Sequence, residues 1–363
     1  MRNVRAVFTG GSDPIQFQDA EVTSPPPGGM NVRVVLAGVC GTDAHRLRGD
    51  LPVSQPVGFG HEGVGLVEEL GPGTHTDSAG QPLVPGDRVY WFPPAGCGEC
   101  HQCNVQQDIG TCDNFQWPPS AAEPNPAAFQ EFATLKPNVA VYRVPDETPF
   151  EAVIAFGCAM QTALGAFRRL GRIAPGSTVV VQGTGPVGLA TTLLAGLSPA
   201  ARVIAIGAGG RRMEAARRLG ATDVLSIEAL SAEERRSVIT DATSGRGADV
   251  VLESAGVLNA FDEGMEMLAK NGTYVVQGLY SGQGTVSLNP FRLNNYAQRI
   301  IGSVGGNPED IHGTVVLASR FHESMGFGDL VTHRFPLHDL RGAIESMRDG
   351  GVIKPVVQIA APD

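Results

Sequence analysis

The chain has 363 residues, 42% of them hydrophobic, with 27 basic against 37 acidic side chains and a formal net charge of −10. That length exceeds one ordinary core and predicts two domains. The acidic balance, without any basic run, argues against nucleic acid or an anionic membrane surface as partner. No apolar run is long enough for a membrane span, and the N-terminal Met-Arg-Asn-Val-Arg-Ala-Val enters a strand-like pattern without a signal-peptide core. The expected compartment is therefore the cytoplasm.

The first 145 residues read as short strands between turns. Val32–Leu36 is apolar and largely β-branched apart from Arg33, and Gly63–Glu68 and Arg88–Trp91 also read as strands. Gly-Pro-Gly at 71–73 and Pro-Gly-Asp at 85–87 punctuate them. This half reads as a β-rich barrel with a lobe, 93–115, inserted after Trp91. The lobe holds four of the six cysteines: Cys97, Cys100, Cys103 and Cys112. Gaps of two, two and eight residues let one loop wrap a tetrahedral ion with four thiolates, which is what a closed, structural Zn²⁺ site requires. Cytoplasmic thiols stay reduced, so metal ligation is favoured over disulfides. The Pro-rich stretch from Trp117 to Pro126 reads as an irregular surface loop.

Near residue 150 the character changes. Glu151–Leu170 has helical spacing, and Ser177–Gln182 is a continuous buried strand. A helical run, Leu189–Leu197, follows. Arg202–Ile206 reads as a strand and Arg211–Leu219 as a helix; Asp249–Leu252 and Tyr274–Gln277 continue the alternation. Strands alternating with helices predict a parallel, doubly wound α/β sheet. The C-terminal stretch ends in a strand, Val356–Ile359. It could pack back on the first domain and make that domain discontinuous.

Between the strand at 177–182 and its helix stand Gly183, Gly185, Pro186, Val187 and Gly188, a Gly-x-Gly-x-x-Gly turn. Gly183 permits the tight turn, Gly185 lets the backbone approach a pyrophosphate, and Gly188 allows close helix–strand packing. The helix N-terminus adds N–H groups and positive dipole for the phosphates. The acidic residue usual at the end of the next strand is missing: Ile206 is followed by Gly207, then Ala208, Gly209, Gly210, Arg211 and Arg212. Glycine removes repulsion of a 2′-phosphate, and either arginine could pair with it. The balance tips narrowly to NADP(H) over NAD(H).

Cys40 and Cys158 stand alone, one in Val39-Cys40-Gly41-Thr42-Asp43-Ala44-His45 and the other after Gly157. Gly60-His61-Glu62-Gly63-Val64-Gly65 precedes a strand. With the cysteine lobe, the glycine turn and the terminal Ile353-Lys354-Pro355-Val356, the chain resembles the zinc-dependent medium-chain alcohol dehydrogenases over essentially its whole length. The resemblance implies a GroES-like β-rich catalytic domain, 1–159 and 305–363, and a Rossmann domain, 160–304. It implies two zinc ions per subunit: a catalytic one on Cys40, His61 and Cys158, and a structural one on Cys97, Cys100, Cys103 and Cys112. Many members have seven residues before the last of these cysteines, where this chain has eight. Glu62 is implied beside the catalytic ion or as an alternate ligand. Asp43 would orient His61, Thr42 and His45 would relay the alcohol proton to solvent, and Lys354 would reach the cofactor pyrophosphate. Leu51, Phe92, Pro93 and Phe115, with Thr42, would line the substrate pocket.

The chemistry agrees. Three protein ligands leave a fourth position open, and two thiolates cancel the ion's charge. The ion would act as a Lewis acid on the oxygen of an alcohol, aldehyde or ketone, and hydride would pass between carbon and NAD(P)(H). The apolar side chains near 51 and 91–93 point to a medium-sized apolar or aromatic substrate. A polyol or sugar dehydrogenase on the same scaffold would need polar groups there. A non-catalytic nucleotide-binding protein would be expected to lose a zinc ligand or the relay. Association as a homodimer or homotetramer is expected through Arg299–Val304, read as an edge strand.

Overall fold

Residues 1–281 and 284–360 are described by the structure, a computed structural model. Apolar side chains fill almost the whole of Met30–Gly38, which becomes the central strand of the first half. Among the described residues a seven-stranded sheet forms around it. The order is Val331–Pro336, Lys354–Gln358, Met30–Gly38, Gly63–Leu70, Arg88–Phe92 and Ala140–Arg143, with Phe132–Leu135 also paired to Met30–Gly38. A smaller sheet orders Ile15–Glu21, Arg2–Phe8 and Val57–Gly58. Phe59, Trp91 and Phe129 are buried in the core beneath. The expected C-terminal strand pairs antiparallel with Met30–Gly38, setting Val357 opposite Ala37.

The second half is a six-stranded sheet in the order Asp223–Ser226, Arg202–Gly207, Thr178–Gln182, Ala248–Glu253, Leu268–Val276 and Arg299–Gly302. All its pairings are parallel. Strand order reverses beside Thr178–Gln182, the position where doubly wound sheets bind ligands. The expected class, a β-rich half and a doubly wound α/β half, is the one that forms.

The chain divides into two compact units. One comprises Met1–Gln161, Gly306–Arg348 and the segment from Lys354; the other comprises Thr162–Gly305 and Asp349–Ile353. Asp349–Ile353 thus departs from the expected boundary. Arg212 explains it, donating to the carbonyl of Val352 at 2.7 and 2.9 Å.

The helix expected over 151–170 is two helices, Phe150–Ile154 and Cys158–Leu170. Gly157 separates them at φ +49°, and a Cβ on it would stand 2.5 Å from the Glu62 carboxyl carbon. The break brings the Cys158 backbone to that carboxylate, whose Oε1 accepts its N–H at 3.0 Å.

Candidate active site and metal centre

Cys40 caps the helix Gly41–Arg48 directly after the central strand. Its N–H donates to Asp43 Oδ2 at 2.9 Å, which turns the aspartate inward. His61 and Glu62 lie just before the strand Gly63–Leu70. Ligand atoms of Cys40, His61, Glu62 and Cys158 all fall within 4.8 Å of one another. Asp43 Oδ1 stands 3.5 Å from His61 Nδ1. That contact leaves Nε2 as the atom free to bind a metal.

The charges are coupled. Cys40 and Cys158 sulfurs are 3.1 Å apart, within hydrogen-bond distance, and either can donate. The hydrogen bond from Cys158 drives the Cys40 thiol well below its ordinary range, and the same contact pushes Cys158 well above it. Burial disfavours a charged His61, yet the Asp43 carboxylate and the Cys40 thiolate outweigh it and raise the imidazole. Two sulfurs and one imidazole, with a carboxylate behind the ring, form a donor set suited to Zn²⁺ with a position left open.

Glu62 is fully buried, at 0% exposure. A Cβ on Gly38 would fall 1.9 Å from its Oε2, so the glycines at 38 and 157 make the carboxylate's room. Oε2 is bound by Lys354 Nζ. Lys354 is 1% exposed, so the expectation that it reaches a pyrophosphate is replaced by a buried ion pair. Burial disfavours its charge, and the Glu62 carboxylate together with the Cys158 and Cys40 sulfurs outweighs that and raises it.

The four thiols of the lobe also lie within 4.8 Å of one another. Cys112 Sγ is 3.5 Å from Cys97 Sγ and 3.7 Å from Cys100 Sγ, close to the ~3.8 Å tetrahedral edge that Zn–S bonds of about 2.3 Å produce. The backbone N–H of Glu99, chief among several donors, lowers the Cys97 thiol to about 6, while burial pushes Cys103 up to about 12. The eight-residue gap does not displace Cys112, which is buried among the others.

Of the relay residues, Thr42 Oγ1 lies 3.8 Å from Cys40 Sγ. His45 Nδ1 is 2.9 Å from Asp50 Oδ2 and 2.8 Å from Arg48 Nη2. Asp50 had no sequence expectation, although its signal was present. Gly49 takes φ +86° after the helix, and the Asp50 N–H then returns to the His45 carbonyl at 2.9 Å.

Of the expected pocket residues, Phe92 comes near the cluster, with its ring 6.4 Å from that of His61. Pro93 is buried, and Leu51 and Phe115 are half-buried. Trp117, read only as part of a loop, comes closer, edge-on to His61 at 5.0 Å between centroids. The buried Arg46 guanidinium covers the Trp117 ring at 5.2 Å.

In the other unit Gly183 has φ +107°, and a Cβ on Gly188 would fall 1.9 Å from the Gly183 carbonyl oxygen. Gly185 caps the helix Pro186–Gly196, and a Cβ there would meet nothing within 4 Å. Arg211 is exposed, whereas Arg212 is committed to the Val352 carbonyl.

Two family profiles match: "Alcohol dehydrogenase GroES-like domain" over 26–146 and "Zinc-binding dehydrogenase" over 186–320. The chain is 38% identical to 5-exo-hydroxycamphor dehydrogenase of Pseudomonas putida, covering 98% of this chain and 99% of that one. A crystal structure of an alcohol dehydrogenase from Thermotoga maritima superposes with a TM-score of 0.90 at 30% identity, covering 99% and 100% of the two chains. Benzyl alcohol dehydrogenase from Acinetobacter calcoaceticus does so with a TM-score of 0.83 at 27% identity, again covering 99% and 100%. The chain belongs to the zinc-dependent medium-chain dehydrogenase/reductase family. Within it, the activity is that of a zinc-dependent alcohol dehydrogenase. No helix among the described residues is long and apolar enough to cross a membrane.

Proposed function

We propose that the chain interconverts a bulky apolar alcohol, alicyclic or aromatic, and its carbonyl compound, at a zinc held by Cys40, His61 and Cys158. The observation that carries this reading is the aromatic wall beside a candidate ligand: Trp117 and Phe92 both present rings to His61. Relatives that act on hydroxycamphor and on benzyl alcohol support it.

Bound zinc supplies Lewis acidity to the substrate oxygen, and a nicotinamide supplies hydride exchange. The side chains do the rest. Asp43 fixes the His61 ring. Thr42 takes the hydroxyl proton and His45 passes it on, its ring placed by Asp50 and Arg48, which both approach Nδ1. His45 lines a cavity of about 280 Å³ with Arg48, Glu345 and Arg348, which gives the proton a polar exit.

The cysteine lobe holds a second, structural zinc, for two per chain. Gly183, Gly185 and Gly188 cradle the cofactor pyrophosphate, with Pro186 and Val187 opening the helix. With Gly207 in place of a carboxylate and Arg211 exposed, NADP(H) is narrowly preferred. The outermost strand, Arg299–Gly302, is the surface through which a homodimer or homotetramer would form, and the cytoplasm is the compartment.

A substrate panel with both cofactors tests the reading. Bicyclic secondary alcohols and benzyl alcohols should exceed ethanol and sorbitol in kcat/KM. Trp117→Ala should lower kcat/KM for ring substrates by about 10- to 100-fold, chiefly through KM. A preference for sorbitol, or indifference to the loss of Trp117, would overturn it.

A further inference from the structure

Asn307 occupies the N-cap of the helix Pro308–Met325, yet its side chain makes no cap hydrogen bond there. An N-cap asparagine ordinarily gives its oxygen to an N–H of its own helix. Here the helix start relies on Pro308, which has no N–H to satisfy, and on Glu309 and Asp310 near the positive end of the dipole. The side chain is directed instead at the cysteine lobe, about two hundred residues earlier in sequence.

Its oxygen accepts the Ile109 N–H at 2.7 Å and the Gly110 N–H at 3.4 Å, and its nitrogen donates to the Gln107 carbonyl at 3.3 Å. Two donors at one end and a carbonyl at the other fix which way the amide points. Asn307 is 3% exposed, so these are buried bonds.

All three contacts fall inside the gap between Cys103 and Cys112. That gap is irregular. Gln107 sits at φ +53°, costly for a side-chain-bearing residue. Ile109–Thr111 then makes one 3₁₀ turn, and Cys112 closes it with its N–H on the Ile109 carbonyl at 3.0 Å. The amide therefore grips both the strained residue and the turn that delivers the fourth thiol. A longer gap has more conformations to lose before Cys112 arrives, and a fixed external clamp removes that freedom.

We propose that Asn307 is a positioning residue for Cys112 and, through it, for the metal of the lobe; this rests on reading the quartet as a metal centre. The test uses the purified zinc-loaded protein with Asn307→Ala, Asn307→Asp and, as control, Tyr142→Phe. The control removes a different bond to the same helix start, from Tyr142 Oη to the Pro308 carbonyl at 2.8 Å. Zinc release to a chelating dye and the thiolate-to-cobalt absorption of the lobe after Co²⁺ exchange are read.

Asn307→Ala should release the lobe metal about tenfold faster and alter the cobalt spectrum, because buried donors lose their acceptor. Asn307→Asp keeps the acceptor oxygens and should fall within about threefold of the parent. If the alanine variant does not fold, the aspartate variant, which loses the donor to the Gln107 carbonyl, carries the test: release about two- to threefold faster than the parent supports the clamp, and parent-like release overturns it. Tyr142→Phe should match the parent in both readouts. Parent-like release and spectrum in both Asn307 variants, or equal losses in Tyr142→Phe, would overturn the clamp. A parent lobe that takes up neither zinc nor cobalt would overturn the metal reading and the clamp with it, a result distinct from the others.

Discussion

Gly207 ends the strand Arg202–Gly207, where a carboxylate would grip the adenosine ribose and repel a 2′-phosphate. A Cβ there would stand 2.2 Å from Thr184 Oγ1, 2.4 Å from its Cγ2 and 2.7 Å from its Cβ. Thr184 is buried, and its hydroxyl donates to the Ala208 carbonyl at 3.1 Å, so it resists moving aside. Gly207→Asp alone should therefore distort the turn, at the roughly 1–3 kcal/mol typical of overpacking. It should lower kcat/KM with both cofactors by about tenfold. Thr184→Gly removes all three clashing atoms. In the double variant the carboxylate fits, and like charges about 5 Å apart at an effective dielectric near 20 repel by about 3 kcal/mol. That equals about 100-fold in the ratio of kcat/KM for NADP⁺ to that for NAD⁺, measured from initial rates of nicotinamide reduction. The two sites share one space, so their effects should not add. A parent enzyme that strongly prefers NAD⁺ would refute the cofactor reasoning, and a Gly207→Asp variant that switches cofactor at full rate would refute the steric reasoning.

His45→Gln should slow alcohol oxidation about tenfold or more near neutral pH and recover as hydroxide replaces the relay; Asp50→Asn should give a smaller loss of the same pH form. An unaffected His45→Gln removes the relay, whereas a normal Asp50→Asn beside a slow His45→Gln removes only the orienting role. Glu253 is buried in the parallel sheet, and burial raises its carboxyl above the ordinary range. An acid with a raised folded pKa carries no penalty while protonated and loses stability as pH climbs through the folded value. Glu253→Gln keeps the oxygen that accepts the Ala255 and Gly256 N–H groups at 2.6 and 2.7 Å. It should raise Tm near about pH 8, with the gain shrinking toward the ordinary glutamate range near about pH 4–5. A gain of equal size at both ends would refute the assignment.

The sequence carried most of the metal chemistry because four cysteines at the spacing of a tetrahedral thiolate site have few other uses. The strands were legible from alternation and the glycine turn from its place between strand and helix. Other features depended on contacts that no local pattern encodes. The break at Gly157 exists because the Glu62 carboxylate needs the space. Trp117 is a loop residue until folding sets it against His61. Arg212 looked like a phosphate ligand, yet the returning segment at 349–353 takes it. The helix Ala232–Ala242 was missed despite a local sign, since Ser231 and Glu234 make a reciprocal capping box.

The buried charges around the candidate catalytic ligands follow one logic. Asp43 and Glu62 have no exposed surface, and an isolated carboxylate so placed would be costly. Each has a cation set against it. Lys354 binds Glu62 directly, and Arg46, one helical turn beyond Asp43, has its charge favoured by that carboxylate against the burial that opposes it. Lys354 also acts on the thiols of Cys40 and Cys158, favouring their charged forms. Lys354 is better understood as part of this balance than as a phosphate ligand, because its ammonium is the direct buried partner of the Glu62 carboxylate.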